Sequence, residues 1–499
     1  MEANTFLKEL EANASRRREE IRARADTLRI SGNTYYVSNA GDDANDGRSP
    51  ASAWKTLSRV SEAELSYGDG VLFCRGDIFR GQLMTAPGVS YGAYGKGEKP
   101  RFYSWIEDLA DPALWECYDA DLHIWKYNKP ILDVGTLVFD GGVAHSYKLI
   151  PSYIKGKFVC REDESRPFDL RREMIRDLDI YWHFESTLTT NPSKGEDFPI
   201  PEVNDQSFGE LYLRCDRGNP GEVWREIEAL AGRNMIYVGG NENVTIENLC
   251  LKYIGRHAIG AGGMCSKGLC VRGCEIGWVG GAIQHYYGTD PNYPQGGRGT
   301  VTRFGNGVEV YGGCVDYEVS DCYCYEIYDA AITHQVTTNG LHFEMKNVLY
   351  RDNLIERCVY SIEYFLDMTK GDTESFMENV EMCGNILRLC GYGWGQQRHN
   401  KHTPAHIKGW SYYNALRSGY RVHHNVFDRS AYRLIHLVAE KQAFCPDMHD
   451  NVYVQYAGGA LGQYGGKEQG EPPVLLFDEC VGQTVETVLC DENASVYTV

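Results

Sequence analysis

Two glutamates occupy equivalent places in two short, similar segments: Glu309 in NGVEVYG and Glu363 in YSIEYFLD. A pair of carboxylates at a fixed separation can cleave a glycosidic bond, one protonating the leaving oxygen while the other activates water. Asp329, in IYDAAITHQ, lies where a turn meets a further segment of this kind. A third carboxylate there raises a neighbour's pKa, as a general acid requires; its alternative role is to cap backbone N–H groups of the turn.

Five segments align on a central Ile or Val: HAIGAGG, GAIQHYY, NGVEVYG, AAITHQV and YSIEYFLD. In a strand the apolar residue points inward and the next one outward. The outward column is then Gly260, Gln284, Glu309, Thr333 and Glu363, and a second column two residues on is Gly262, Tyr286, Tyr311, Gln335 and Phe365. Trp394, Gln396, Arg398 and, in YRLIHLV, His436 extend the surface. Carboxylates and amides bond sugar hydroxyls, and aromatic faces cover the apolar sugar face, so these residues are the expected substrate contacts. His334, counted with them, falls on the inward phase, where a core histidine is the commoner outcome. The competing reading of the columns is an ordinary solvated sheet face.

One intervening strand between Glu309 and Glu363 puts their Cα atoms about 9.5–10 Å apart. Side chains leaning together reach the roughly 6.5–9.5 Å of an inverting glycosidase more naturally than the roughly 5–5.5 Å of a retaining one. The assignment of acid and base within the pair stays open.

Positioning such columns requires stacked strands. Ile259, Ile283, Val308 and Ile332 follow at intervals of 24, 25 and 24 residues, and Cys250, Cys274 and Cys322 at 24 and 48, which reads as one coil per repeat. Asn248, Asn353, Asn385, Asn425 and Asn451 each precede a short apolar strand and suit an asparagine ladder at the turns. A helical reading fails because each apolar run is short, alternates with period two and is bounded by Gly, Asn or Asp. Insertions appear at 285–304 and 397–414, both near the outward columns, where they can wall a groove. The expected fold is all-β, a right-handed single-stranded parallel β-helix with an N-terminal capping helix and an inserted β-rich region.

The chain divides accordingly into a helix over 1–30, first coils over 31–105, a charge-rich inserted or accessory β region over 106–235, the main β-helix over 236–465, and C-terminal strands over 466–499. Coil stacks bury their apolar residues only against neighbours, so both ends need caps; the N-terminal helix and the strand PPVLLFDE are the candidates.

Lys+Arg 50 against Asp+Glu 69 gives a net charge of −19, which repels nucleic acid and anionic membranes and favours a neutral oligosaccharide over a polyuronate. No apolar run approaches a membrane span, and the N-terminus lacks a secretory pattern. With 17 Cys, an odd number, the expectation is reduced thiols in a cytoplasm. Cys270, Cys274, Cys322 and Cys324 read as interior thiols rather than zinc ligands, so no metal or cofactor is expected. Zincin, P-loop, dinucleotide and serine-hydrolase motifs are absent. Oligomeric state is not legible.

The segment TYYVSNAGDDANDGRSPASAWKTLSRVSEAELSYGDGVLFCRGDIFRG resembles the opening of many parallel β-helix carbohydrate enzymes. The resemblance implies a strand at Tyr35–Val37, a turn over Gly41–Gly47, a short helix from Ala53–Trp54 and a strand at Val71–Cys74. With the coils, it extends to the pectate-lyase-like superfamily, which includes glycoside hydrolases, polysaccharide lyases and uronan epimerases. FGNGVEVYG, IYDAAITHQ and CVYSIEYF are similar to segments of bacterial β-helix glycosidases. The resemblance therefore implies a glycoside hydrolase. A lyase or C5-epimerase is the alternative; it would need a base and a cation such as calcium to neutralise a uronate, and the outward columns hold no Lys and only Arg398. A non-catalytic glycan-binding β-helix would keep the aromatics without needing the glutamates.

Overall fold

A computed structural model describes residues 3–154, 156–185, 188–189, 200–286, 301–368, 374–398, 403–409, 413–478 and 482–499. Short strands wind into a parallel β-helix of three ladders, visited in the order one, two, three in each coil. Ladder one contains Ile236–Tyr237, the first part of Ile259–Lys267, the first part of Val308–Ser320, Ala330–Thr337, Tyr360–Asp367, Ala405–Gly409, Arg433–Ala439 and Ala460–Gly466. Ladder two runs from Thr34–Val37 to Asp447–His449, and ladder three from Ile78–Arg80 to Ser495–Thr498.

The strands stack because their inward residues make one continuous column. Ile236, Ile259, Val308, Ile332, Ile362, Ile407 and Ile435 are in register strand to strand and fully buried. Burying each side chain is worth about 1.5–3 kcal/mol. At the turn before ladder three a second column carries hydrogen bonds. The Asn353 amide donates to the Asn385 carbonyl at 2.9 Å, Asn385 to Asn425 at 2.9 Å, and Asn425 to Asn451 at 3.1 Å. Asn451 in turn donates to Asp491 at 2.9 Å. Asn248 lies outside this row, donating instead to the carbonyl of Ala25. Cys250 pairs with Glu275, so it leaves the column that Cys274 and Cys322 share.

The repeat from Ile259 to Ile283 is not a coil. Ile259 pairs directly with Val308, and Ala282–Tyr286 leaves the ladder to form an antiparallel hairpin with Val301–Phe304. Gly280 and Gly281, at φ +99° and +84°, turn the chain outward, and a Cβ on Gly281 would stand 2.5 Å from the Trp394 ring. Ile283, Tyr286 and Val301 then pack into a separate core belonging to the inserted region. That region contains a sheet ordered Tyr147–Lys148, Asp179–His183, Phe208–Arg214, Ile124–Tyr127, Trp115–Asp119. A further strand, Ile227–Ala231, rejoins ladder three beside Ile254.

The N-terminal helix, Ala3–Arg22, lies along the flank of ladder three instead of across an end. Ala14 and Ile21 pack on Tyr323 and Leu354, Arg18 and Arg22 pair with Glu356 and Glu275, two coils apart, and Phe6 stacks on Tyr497 at 4.0 Å. At the other end, Leu475–Leu476 of PPVLLFDE adds antiparallel to Ala460–Gly466. In the opening motif the helix spans Leu57–Ser61, capped by Thr56, while Trp54 stays extended, buried against Tyr35.

Candidate active site

The register of ladder one sets the outward row. Gly260 pairs with Glu309; Val308 pairs with Ile332, which puts Thr333 beside Glu309; Thr333 then pairs with Glu363, Glu363 with Lys408, Lys408 with His436 and His436 with Gln463. Tyr311, Gln335 and Phe365 form the second row. Glu309 and Glu363 are thus two strands apart, about 9.5–10 Å between Cα atoms.

Gln284 and Tyr286 are not in these rows. Both are on the hairpin, Gln284 exposed and Tyr286 buried among Tyr153 and Phe158 of the inserted region. The 24-residue spacing that suggested otherwise is coincidental; the Gly280-Gly281 pair ahead of it and the alternating VTRF that returns were the signals of a hairpin. Conversely, Lys408 belongs in the outward row, so the row does contain a lysine. It was hidden because 397–414 reads as one loop, whereas AHIKG within it is a ladder strand centred on Ile407. The rest of that loop, 399–402 and 410–412, lies outside the described residues, as does 287–300 of the other insertion.

Glu309, 6% exposed, is held by three donors, two of them on the neighbouring strand. Thr333 Oγ1 donates at 2.7 Å, Gln335 Nε2 donates to both oxygens at 2.9 and 3.0 Å, and the Asn306 amide donates as well. Asn306 also accepts from the Ala330 backbone at 2.8 Å, and so ties the carboxylate to the start of the next strand. Thr333 in turn accepts from Val310 N at 3.2 Å. The carboxylate is fixed in orientation by the sheet itself.

Asp329 and Glu363 form a second acidic corner with two cations. Arg398 pairs with Asp329, and Lys408 Nζ lies 3.0 Å from Glu363 Oε1 and 3.9 Å from the centre of the Tyr360 ring. Burial pushes the Asp329 carboxyl up to about 6; Arg398 opposes this and the Glu363 charge adds to it. Lys408 is raised, burial being outweighed by Glu363 and Tyr360, so it stays charged.

Several buried polar atoms of this face have no hydrogen-bond partner among the described residues: Gln335 Oε1, Arg398 Nε and His436 Nδ1. Such atoms are costly unless something fills them, and a hydroxyl-rich ligand would. Burial, with the Arg433 and Lys408 charges, pushes His436 down to about 3, so its ring is neutral. Tyr311, 42% exposed, meets Phe365 edge to face at 6.2 Å and gives the row an aromatic edge.

Two expected contacts are elsewhere. His334 points into the β-helix, stacked on Tyr364 at 5.4 Å and bonded to Tyr350 at 2.9 Å, and burial lowers it to about 3. Trp394 is buried against Tyr328, its indole N–H donating to the Glu326 carbonyl at 2.7 Å. Trp394 braces the wall and does not face a ligand.

That wall arises because three long insertions, the region after Arg101–Tyr103, the hairpin strands Ala282–Tyr286 and Val301–Phe304, and the segment after Ile386–Cys390, occur at the corner between ladders three and one. Gln397 locks the wall together, donating at 2.8 Å to the Ser146 carbonyl of the inserted region. A cavity of about 410 Å³ lies at this junction. Among the described residues, His423, His424 and His449 bring one ring nitrogen each within 4.8 Å of one another, but at the exit of ladder two, on another face.

No family model matches the chain. A lacto-N-biosidase of Bifidobacterium longum subsp. longum is 46% identical over 85 residues, a match that covers 15% of this chain and 5% of that protein. Among solved structures, XylC in complex with xylose aligns over 93% of this chain and 82% of its own, at 11% identity and a TM-score of 0.44. A GH136 lacto-N-biosidase from Eubacterium ramulus aligns over 94% and 68%, at 14% identity and a TM-score of 0.40. No helix of the described residues is long and apolar enough to cross a membrane.

Proposed function

We propose that the face of ladder one hydrolyses a glycosidic bond. The observation that carries this reading is the buried acidic corner of Asp329 and Glu363 beside a rigidly held carboxylate, Glu309, with Asp329 leading into the strand next to that of Glu309 and Glu363 one strand further on. Asp329, kept protonated toward neutral pH, donates to the leaving oxygen; Glu363, held by Lys408, supports that protonation; Glu309 activates water. The two-strand spacing of Glu309 and Glu363, the other carboxylate of that corner, is of the size that suits inversion. Gln335, Arg398, His436, Tyr311 and Phe365 surround the sugar. The short stretch of likeness to a lacto-N-biosidase supports a glycosidase without indicating the sugar.

The test is a screen of aryl-glycosides and oligosaccharides, read by reducing-sugar release and by proton NMR of the first-formed anomer. Release that survives in Asp329→Asn and Glu309→Gln would sink the assignment.

A second reading, elimination or epimerisation at a uronate, draws on the neutral His436 beside the charged Lys408, a base next to a cation. It predicts an unsaturated product with ultraviolet absorbance, or C5 inversion without cleavage, and no dependence on Glu309.

A further inference from the structure

The cavity at the wall is unusual in a chain of charge −19. Its lining includes Lys148, Arg161 and Arg176 from the inserted region, Arg303 from the hairpin, and Gln396 and Gln397 from the segment beside Arg398. Two carboxylates, Glu162 and Glu173, share it; Glu173 is taken up by Arg166 from outside the lining. Lys148 is matched by Asp133, and Arg176 by Asp179.

Of the remaining two cations, Arg303 has no carboxylate partner among the described residues, and Arg161 feels the charge of the adjacent Glu162 without forming an ion pair with it. Arg303 is 1% exposed and, among the described residues, bonds the carbonyls of Gly281 and Gly135, at 2.7 and 2.8 Å, with its guanidinium 4.6 Å from the centre of the Tyr328 ring. Arg161, half-buried, makes no hydrogen bond or ion pair among the described residues. Buried guanidinium groups are normally compensated by an anion, and their forked donors match a planar or tetrahedral oxyanion. Tyr328, whose hydroxyl is buried without a partner among the described residues, links the cavity to the groove: it precedes Asp329, and Arg161, Arg303 and Arg398 all act on it.

We infer that this cavity is a subsite for an oxyanion carried by the glycan, with Arg161 and Arg303 as its grip and the flanking amides of Gln396 and Gln397 as orienting groups. The inference rests on the reading of the ladder-one face as a glycan groove. It replaces the neutral substrate suggested by overall charge, because a basic cleft is what offsets an acidic field locally. The anion is a uronate carboxylate or a sulfate ester; both present oxygens that two guanidinium groups can share.

The experiment is calorimetric titration of the full chain with D-glucuronate, D-galacturonate and D-glucose 6-sulfate, with D-glucose and D-galactose as neutral controls. Saturable binding of an acidic sugar at millimolar concentration, weakened about 10- to 100-fold in Arg161→Gln, is expected, the loss corresponding to one charge-assisted hydrogen bond. Arg161→Lys should recover part of it. Arg161 makes no hydrogen bond or ion pair among the described residues, so an unchanged thermal melt is expected and verifies the fold of the variant. Preference between uronates and the sulfate identifies the anion. Equal binding of neutral and acidic sugars, no acidic sugar binding, or unchanged affinity in Arg161→Gln would overturn the subsite. Because binding is read without turnover, failure of the hydrolase reading leaves this result standing, and failure of acidic-sugar binding refutes the subsite whatever glycan is hydrolysed.

Discussion

Lys408 holds its ammonium 3.0 Å from the Glu363 carboxylate on the neighbouring strand of the same ladder, both side chains largely shielded from water. Removing one partner strands the other's charge. Lys408→Met should therefore cost about 3–5 kcal/mol, whereas Lys408→Met with Glu363→Gln should cost much less than the sum of the two single changes. Urea unfolding of the four proteins measures the coupling.

Asp329 titrates at about 6 because burial disfavours its charge. As general acid it must be protonated, so kcat/KM should fall as pH rises through about 6, and Asp329→Asn should lose activity by about 10²–10⁴ and abolish that limb. The stability consequence has the same sign. A raised carboxyl binds its proton more tightly when folded, so its contribution is complete below its ordinary value near 3.8 and is lost as pH rises through about 6. Melting curves of wild type and Asp329→Asn across pH 3–7 should converge in slope only when this group is removed.

Thr333 links two strands by donating to Glu309 and accepting from Val310 N. Thr333→Val leaves that buried N–H unpaired and should cost about 1–3 kcal/mol while lowering kcat more than it raises KM. Thr333→Ser, which keeps the hydroxyl, should restore most of both. Steady-state kinetics beside a thermal melt separates the two effects.

The hairpin offers a contrast between neighbours. Tyr286→Ala opens a cavity in the core of the inserted region and should destabilise it by about 3–5 kcal/mol. Gln284→Ala should stay within about 0.5 kcal/mol, since its side chain is exposed. A large KM effect of Gln284→Ala with no change in stability would contradict its position.

Glu275 receives two hydrogen bonds from Arg22 at 2.9 Å and faces Lys252; although burial opposes it, these cations pull its pKa down to about 2. Its contribution should be present above its ordinary value near 4.5 and disappear as pH falls toward 2. Glu275→Gln should speed hydrogen exchange in residues 3–22 at neutral pH and make little difference in strong acid.

The rows on ladder one were readable where an inward Ile or Val is followed by a polar residue in a clean period of two, which is how Glu309, Thr333, Gln335, Glu363 and Phe365 are found without coordinates. Gln284 and Tyr286 satisfied the same local rule, but register is decided by pairing across 49 residues, between Ile259 and Val308, and no local pattern reports it. Lys408 was lost for the opposite reason: its strand is five residues long inside a stretch of loop composition. The inward aim of His334 followed from phase alone. The wall could not be read, because Arg303, Gln397 and Ser146 meet only through tertiary packing of three distant insertions.

The asparagine row of the turns has a direction. Each amide gives one hydrogen to the next side-chain carbonyl along, from Asn353 to Asn451, and another to a backbone carbonyl, and the last gives to Asp491, which also accepts from Tyr453 at 2.6 Å. A carboxylate that only accepts is a terminus such a row can end on but not pass through. The β-helix thus carries its own stop signal, and an added coil beyond Asp491 would have to begin without the polar thread that joins the others.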